Sequence, residues 1–377
     1  MNRPEDGTIR FTIVVAVLAA SLAAASVAAS IRRGQHNPNA KRDTGTPAGA
    51  PVTITPKESA KRVDIAIGGQ PFTSYRWDEP LKKPVLYPLR SAKGTIVTRG
   101  WPLEPRPGER VDHPHHVGLW FNYGDVNGLD FWNNSDTVPK EQAPKMGSIR
   151  HTRIARAEGG AAGGILITES NWVNARGEVL LHEDTTYHFR GGDASRVIDR
   201  ETTLAATGQR VVFNDNKEGV FGLRVARQLE LPSKTAEVFT DASGRPTAVP
   251  ALDNTGITGM YTSSEGKKGD DVWGTRGRWT MLTGRIGERP VTIAILDHPS
   301  NPGYPTHWHA RGYGLFAANP LGQAALSEGR EPAFNLPVEP GSPVTFRYRV
   351  VILDSIATAD AIEREARHFS GQPTSDR

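Results

Sequence analysis

Residues 111–121 read VDHPHHVGLWF and set three imidazoles, His113, His115 and His116, within four positions behind the carboxylate of Asp112. The triplet Asp-His-Pro returns as Asp297-His298-Pro299, and His307 and His309 follow in THWHARGYG at 306–314. Imidazole changes charge near neutral pH, so a histidine cluster beside an acid can move protons or bind hydroxyl groups. Trp120, Phe121, Tyr123, Phe131 and Trp132 crowd the same region with flat rings, which suit the C–H faces of a pyranose. Together these residues predict a sugar site. His113, His115, His116, Glu218, His298 and His309 are its candidate acid–base groups.

The candidate substrate contacts fall into three types. Asp112 and Asp297 supply acids, and either of them, or Glu218, could act as the base. Trp120, Trp273 and Trp308 are candidate stacking platforms. Lys217, Arg224, His307, Arg311 and Tyr313 complete the polar set. Arg224 sits among Leu223, Val225 and Ala226, so it needs a carboxylate partner if it points inward. Each proline should hold its preceding histidine extended, and the repeated triplet predicts two loops lining one pocket. A purely structural role, with each ring paired to backbone carbonyls, is the alternative for any single histidine. Because His113/His115 and His307/His309 are each two residues apart, a divalent metal held by histidines is a further option. No HExxH pattern is present, and acid–base chemistry requires no cofactor.

The elements that must position these residues read as strands. Short branched and aromatic runs recur between Gly, Pro, Asn and Asp clusters. Examples are 62–67, 94–98, 164–173, 179–189, 220–231, 289–296 and 343–353. In 179–189, Val179, Leu181, Glu183, Thr185, Tyr187 and Phe189 alternate onto one face. Only 358–369 reads as a helix, with Ile362, Ala366 and Phe369 on one stripe and Thr358 as its N-cap. A chain this rich in strands must stack sheets or close a barrel. An all-β architecture, a large β-sandwich with a short C-terminal helix, is the expectation.

Residues 11–29 are uncharged and apolar. They predict a signal peptide, or an N-terminal anchor, over 1–29. Residues 30–60 are rich in Pro, Gly, Ala and Thr and predict a disordered linker, leaving 61–377 as a single sandwich domain. The destination is then secreted, periplasmic or cell-envelope, with membrane contact only through an uncleaved 11–29. The absence of cysteine excludes disulfides, thiolate metal sites and cysteine nucleophiles. Net charge is +4, and no basic block interleaves with aromatics, so nucleic acid is not an expected partner.

Three long stretches carry a resemblance: VDHPHHVGLWFNYGDVNGLDFW, NDNKEGVFGLRVA and LDHPSNPGYPTHWHARGYGLFAANPLG. Over roughly 62–353 the chain resembles the bacterial "PmoA family" of exported proteins, a domain of unknown function named after a methane oxygenase subunit. Val117 stands where many relatives are expected to carry a basic residue. The resemblance implies a galactose-mutarotase-like supersandwich and a small-molecule or oligosaccharide substrate. The histidine loops make the expectation an exported carbohydrate-active enzyme of hydrolase, lyase or epimerase type, with a non-catalytic carbohydrate-binding protein or a histidine-ligated metal enzyme as alternatives. The oxygenase role itself is physically excluded. Such a subunit is a bundle of membrane helices, and this chain has at most one apolar segment of spanning length.

Overall fold

Two eight-stranded antiparallel sheets dominate the computed structural model, which describes residues 49–233, 237–241, 243, 245–249 and 254–371. The apolar segment 11–29 and most of the expected linker lie outside the described residues. The first sheet runs Val52–Lys57, Arg62–Ile67, Gln70–Arg76, Val85–Leu86, Leu119–Tyr123, Gly219–Arg224, Leu315–Asn319, His307–Arg311. The second runs Met260–Ser263, Trp279–Ile286, Arg289–Asp297, Val344–Leu353, Ser195–Ala206, Val179–Gly191, Gly164–Val173, Ser148–Glu158.

Period-two alternation places one side of every strand in the core between the sheets. Along Leu119–Tyr123, Leu119, Phe121 and Tyr123 enter that core, while Trp120 packs in a separate cluster on the outer side. Phe221 of the first sheet stacks on Tyr348 of the second at 4.8 Å and 12°. One ion pair is buried here: Arg200 donates to Glu183 at 2.9 Å and lies 4.8 Å over the ring of Phe121. The expected face of 179–189 holds from Leu181 onward, with Leu181, Glu183, Thr185, Tyr187 and Phe189 all buried, while Val179 is exposed.

The helix Ala359–Phe369 lies against the outer side of the second sheet. Its Ile362, Ala366 and Phe369 pack on Trp279, Met281, Leu296 and Val351. Thr358 caps it as expected, accepting from the Ala361 amide at 3.3 Å.

Two expectations need correction. Residues 52–60 are not linker, because Val52–Lys57 pairs with Arg62–Ile67 in full register and buries Val52 and Ile54. Their alternation is legible once an edge strand is sought, but the Pro and Thr around it resemble linker composition. Residues 94–98 form no strand; they make only isolated bridges, Arg90↔Ile96 and Thr98↔Val225.

A chain truncated to begin at Lys61 should therefore be less stable than one beginning at Pro47. Val52 and Ile54 contribute about 1.5–3 kcal/mol each when buried. Urea unfolding of both proteins measures the difference, and equal midpoints would mean the strand contributes nothing.

Candidate functional site

The site is built on the outward side of four adjacent strands of the first sheet. Register places Trp120 beside Gly222, Gly222 beside Ala317, and Ala317 beside His309. One row across the sheet thus has a large ring at each end and almost no side chain between. Gly222 must be glycine: a Cβ there would lie 2.6 Å from the Trp120 ring and 3.0 Å from that of Trp132. The neighbouring row carries Arg224, Leu315 and Arg311.

Over these rows folds the histidine loop. His116 donates its amide to the His113 carbonyl at 2.9 Å, a β-turn with Pro114 in the position that suits its fixed φ. His113 is not extended as expected but has φ +42°. The buried guanidinium of Arg99 accounts for this conformation. It donates to the carbonyls of Asp112, His113 and His116 at 2.9, 3.0 and 3.1 Å and also to the Asp112 carboxylate. Three carbonyls can converge on one fork only if the chain curls tightly around it.

Asp112 accepts from Arg224 at 2.6 Å and contacts His113 Nδ1 at 3.0 Å. Burial pushes its pKa up, but the His113 hydrogen bond and the charges of Arg224 and Arg99 outweigh this and hold it well below the usual carboxylate range. Asp112 is therefore a fixed anion and cannot serve as the base. Arg224 finds the carboxylate that its apolar neighbours required. It also approaches His116 Nδ1 at 3.2 Å. Arginine can only donate, so this nitrogen accepts and the ring proton of neutral His116 sits on Nε2.

Four rings form a column. Tyr313 stacks on His113 at 5.0 Å and 5°, His113 on His116 at 4.8 Å and 4°, and His116 on Trp120 at 5.2 Å and 17°. His115 meets His116 edge-on at 4.3 Å. Lys83 reaches under the loop to the His115 carbonyl at 2.7 Å. Burial lowers its pKa to about 7, against the opposing charge of Asp130. Burial likewise lowers His115 to about 2 and His309 to about 3, and holds His116 well below its ordinary value. Glu218 lies 3.7 Å from His309 Nδ1 and 3.3 Å from Lys217 Nζ. Its pKa is raised by burial despite the pull of Lys217 and of the nearby His113.

The buried nitrogens here without a hydrogen-bond partner include His115 Nε2, His116 Nε2, His309 Nδ1, Trp120 Nε1 and Trp132 Nε1, beside the Nε atoms of Arg99 and Arg224. An unmet buried polar group costs about 1–3 kcal/mol. Such a concentration on one face leaves polar groups open to a ligand or to water.

The structure thus gathers Asp112, His113, His115, His116, Trp120, Lys217, Glu218, Arg224, His309, Arg311 and Tyr313. Trp273 sits at the rim, 5.2 Å from the guanidinium of Arg311. His307 is on the adjoining stretch of strand, paired with Glu331 at 3.2 Å. Three candidates are elsewhere. His298 packs on Phe369 of the helix at 5.1 Å and bonds Ser300 at 2.8 Å, on the second sheet. Asp297 is buried, its pKa raised to about 7, and it ties the crossover between sheets by accepting from Thr306 N and Asn301. Trp308 points into the core and donates to the Gly277 carbonyl at 3.1 Å. Trp120 is in the site but wholly buried, so it is the base of the ring column and not a surface platform.

The repeated triplet is explained locally. Asn301 donates to the His298 carbonyl at 2.9 Å, the same turn as at His113. Asp-His-Pro encodes that turn twice, on opposite sheets, and the shared-pocket expectation fails. Sequence reasoning missed Arg99 and Lys83, and named Asp130 and Trp132 only as an acid and a ring of the loop. Arg99 and Lys83 left no signal, since neither stands in a motif. Among the described residues no three His, Asp or Glu side chains are grouped closely enough to hold a metal ion.

A family model described as a family of unknown function, DUF6807, matches residues 62–367. The chain belongs to this family. No curated protein sequence matches it. Among solved structures it is similar to the Slr1438 protein from Synechocystis sp. PCC 6803, with 12% identity, TM-score 0.32, and 81% of this chain and 96% of that one covered. It is similar to the GH36 alpha-galactosidase AgaB from Geobacillus stearothermophilus, with 13% identity, TM-score 0.36, and 80% and 41% covered. A provisional aldose 1-epimerase from Escherichia coli K12 is also similar, with 10% identity, TM-score 0.27, and 80% and 98% covered. The chain spans less than half of the galactosidase. The two-sheet arrangement of this DUF6807 member rests on its own strand pairing.

The depressed histidines have a consequence for stability. Unfolded histidine titrates near 6.5, whereas folded His115 titrates at about 2. Between these values the unfolded state binds the extra proton, so stability falls as pH falls, by about 1.4 kcal/mol per pH unit for each such group. Asp297 works in the opposite sense between about 4 and 7, since the folded state keeps its proton there. The clean measurement is thus a difference. His115→Asn should lose stability between pH 6 and pH 4 less steeply than the wild type, by about 1.4 kcal/mol per unit. Parallel slopes in denaturant titrations would show that His115 is not held neutral.

Proposed function

We propose that this is an exported, carbohydrate-active enzyme that works by proton transfer, with His113 as general base and Glu218 as general acid. The carrying observation is the contact of 3.0 Å between His113 Nδ1 and Asp112 Oδ2. An ionised carboxylate can only accept, so Nδ1 bears the ring proton and Nε2 keeps a free lone pair. The His113 side chain is 41% exposed, so that lone pair is open to a ligand. Glu218, whose burial favours the protonated form, supplies the complementary acid. An imidazole with a free lone pair and a buried carboxyl on one face fit an acid–base pair. The unpartnered His115, His116 and His309 nitrogens suit the alternating donors and acceptors of a polyol.

Bound sugar would meet the edge of the column and not a broad aromatic face, because Trp120 and Trp132 are covered. That geometry favours catalysis over a non-catalytic binding protein, which needs exposed rings. The finer affiliation with the exported proteins called the PmoA family, and export by residues 1–29, belong to the same reading.

A panel of mono- and oligosaccharides incubated with the protein in D2O, followed by mass spectrometry, tests it. Turnover or deuterium uptake should fall about 10²–10⁴-fold in His113→Ala and in Glu218→Gln, with melting midpoints moved by only a few degrees. If a sugar is processed equally well by both variants, the assignment fails. Binding without any processing would instead establish the binding-protein alternative.

A further inference from the structure

We propose that the substrate carries a carboxylate, as in an acidic sugar of the uronic or aldonic type, and that Arg311 receives it. This rests on the sugar-site reading above and adds the class of sugar. Arg311 occupies an outward position on the strand that carries His309, two residues away, so both side chains project on the same face. It is exposed. Its guanidinium lies 5.2 Å over Trp273 and 6.0 Å from the centre of the Tyr313 ring. Stacking on two rings orients the fork and leaves its edge free. Among the described residues no carboxylate pairs with it, although its charge reaches His309 and Tyr313.

A second observation is independent of Arg311. Beneath it two buried guanidiniums crowd one carboxylate oxygen, with buried Glu230 as a further anion nearby. Arg99 and Arg224 both donate to the same oxygen of Asp112, and the pKa of Arg99 is lowered to about 9 by burial and then by the charge of Arg224. Buried Lys83 makes its hydrogen bond to a neutral carbonyl. Guanidiniums crowded in a water-poor site attract an anion over a long range. A planar fork held on aromatic faces matches a planar carboxylate by two parallel hydrogen bonds.

Isothermal titration calorimetry on the intact protein tests the idea with matched probes. These are D-glucuronate, D-galacturonate, D-gluconate and short oligogalacturonides, each beside its methyl ester or neutral parent sugar. At least one acid should bind about tenfold or more tightly than its neutral counterpart, as a charge-assisted hydrogen-bond pair implies. The preference should weaken with added salt. Arg311→Gln should erase it with no change in melting midpoint, since the residue is exposed, and Arg311→Lys should restore part of it. Equal binding of acids and neutral counterparts overturns the inference, as does a preference that survives Arg311→Gln. In either case loss of turnover in Glu218→Gln would leave the acid–base reading standing. If no acid binds at all, the inference is overturned, and if no neutral sugar binds or reacts either, the sugar-site reading falls with it.

Discussion

The histidine site depends on the sharing of one carboxylate. Asp112 is grasped at once by Arg99, Arg224 and His113. Without it two nearly inaccessible guanidiniums would lie against one another, and burying such charges unpaired costs several kcal/mol. Because Arg99 also collects three loop carbonyls, the same interaction fixes the backbone of the turn. Because Arg224 also faces His116 Nδ1, it fixes a tautomer. A single anion thus couples loop shape, ring stacking and proton position.

The sheet beneath makes that clamp possible. A strand gives alternate residues to opposite faces, so the Leu119–Tyr123 strand can bury Phe121 between the sheets while Trp120 builds the floor of the site. Gly222 and Ala317 keep the middle of the row low, which lets the two indoles and the imidazole loop settle on the backbone. Site and core are packed back to back through one layer of strands. Substitutions in the core side of these strands will therefore also displace the site.

What distinguishes this face from ordinary core is its unmet polarity. The core between the sheets places its charged pair Glu183 and Arg200 among hydrogen-bond partners. The histidine face leaves several buried nitrogens unpaired and keeps its imidazoles neutral by burial. Such local disagreement with packing rules is what functional sites show. It is offset by the extensive antiparallel pairing around it.

Much of the fold was legible because alternation is a local property. The strands Arg62–Ile67, Gly164–Val173 and Val344–Leu353 and the capped helix Ala359–Phe369 all follow from period and end signals within their own residues. So did the need of Arg224 for an acid, since apolar neighbours on both sides imply burial. The Val52–Lys57 edge strand was hidden by composition that suits a linker equally well. The sequence by itself determined which residues could do chemistry near 111–132. Only the tertiary structure decided that the two turns serve opposite sheets, that Trp308 faces the core, and that Arg99 and Lys83 join the site. Which face a strand shows, and what lies across it, depends on pairing partners more than a hundred residues away, and no local pattern encodes that.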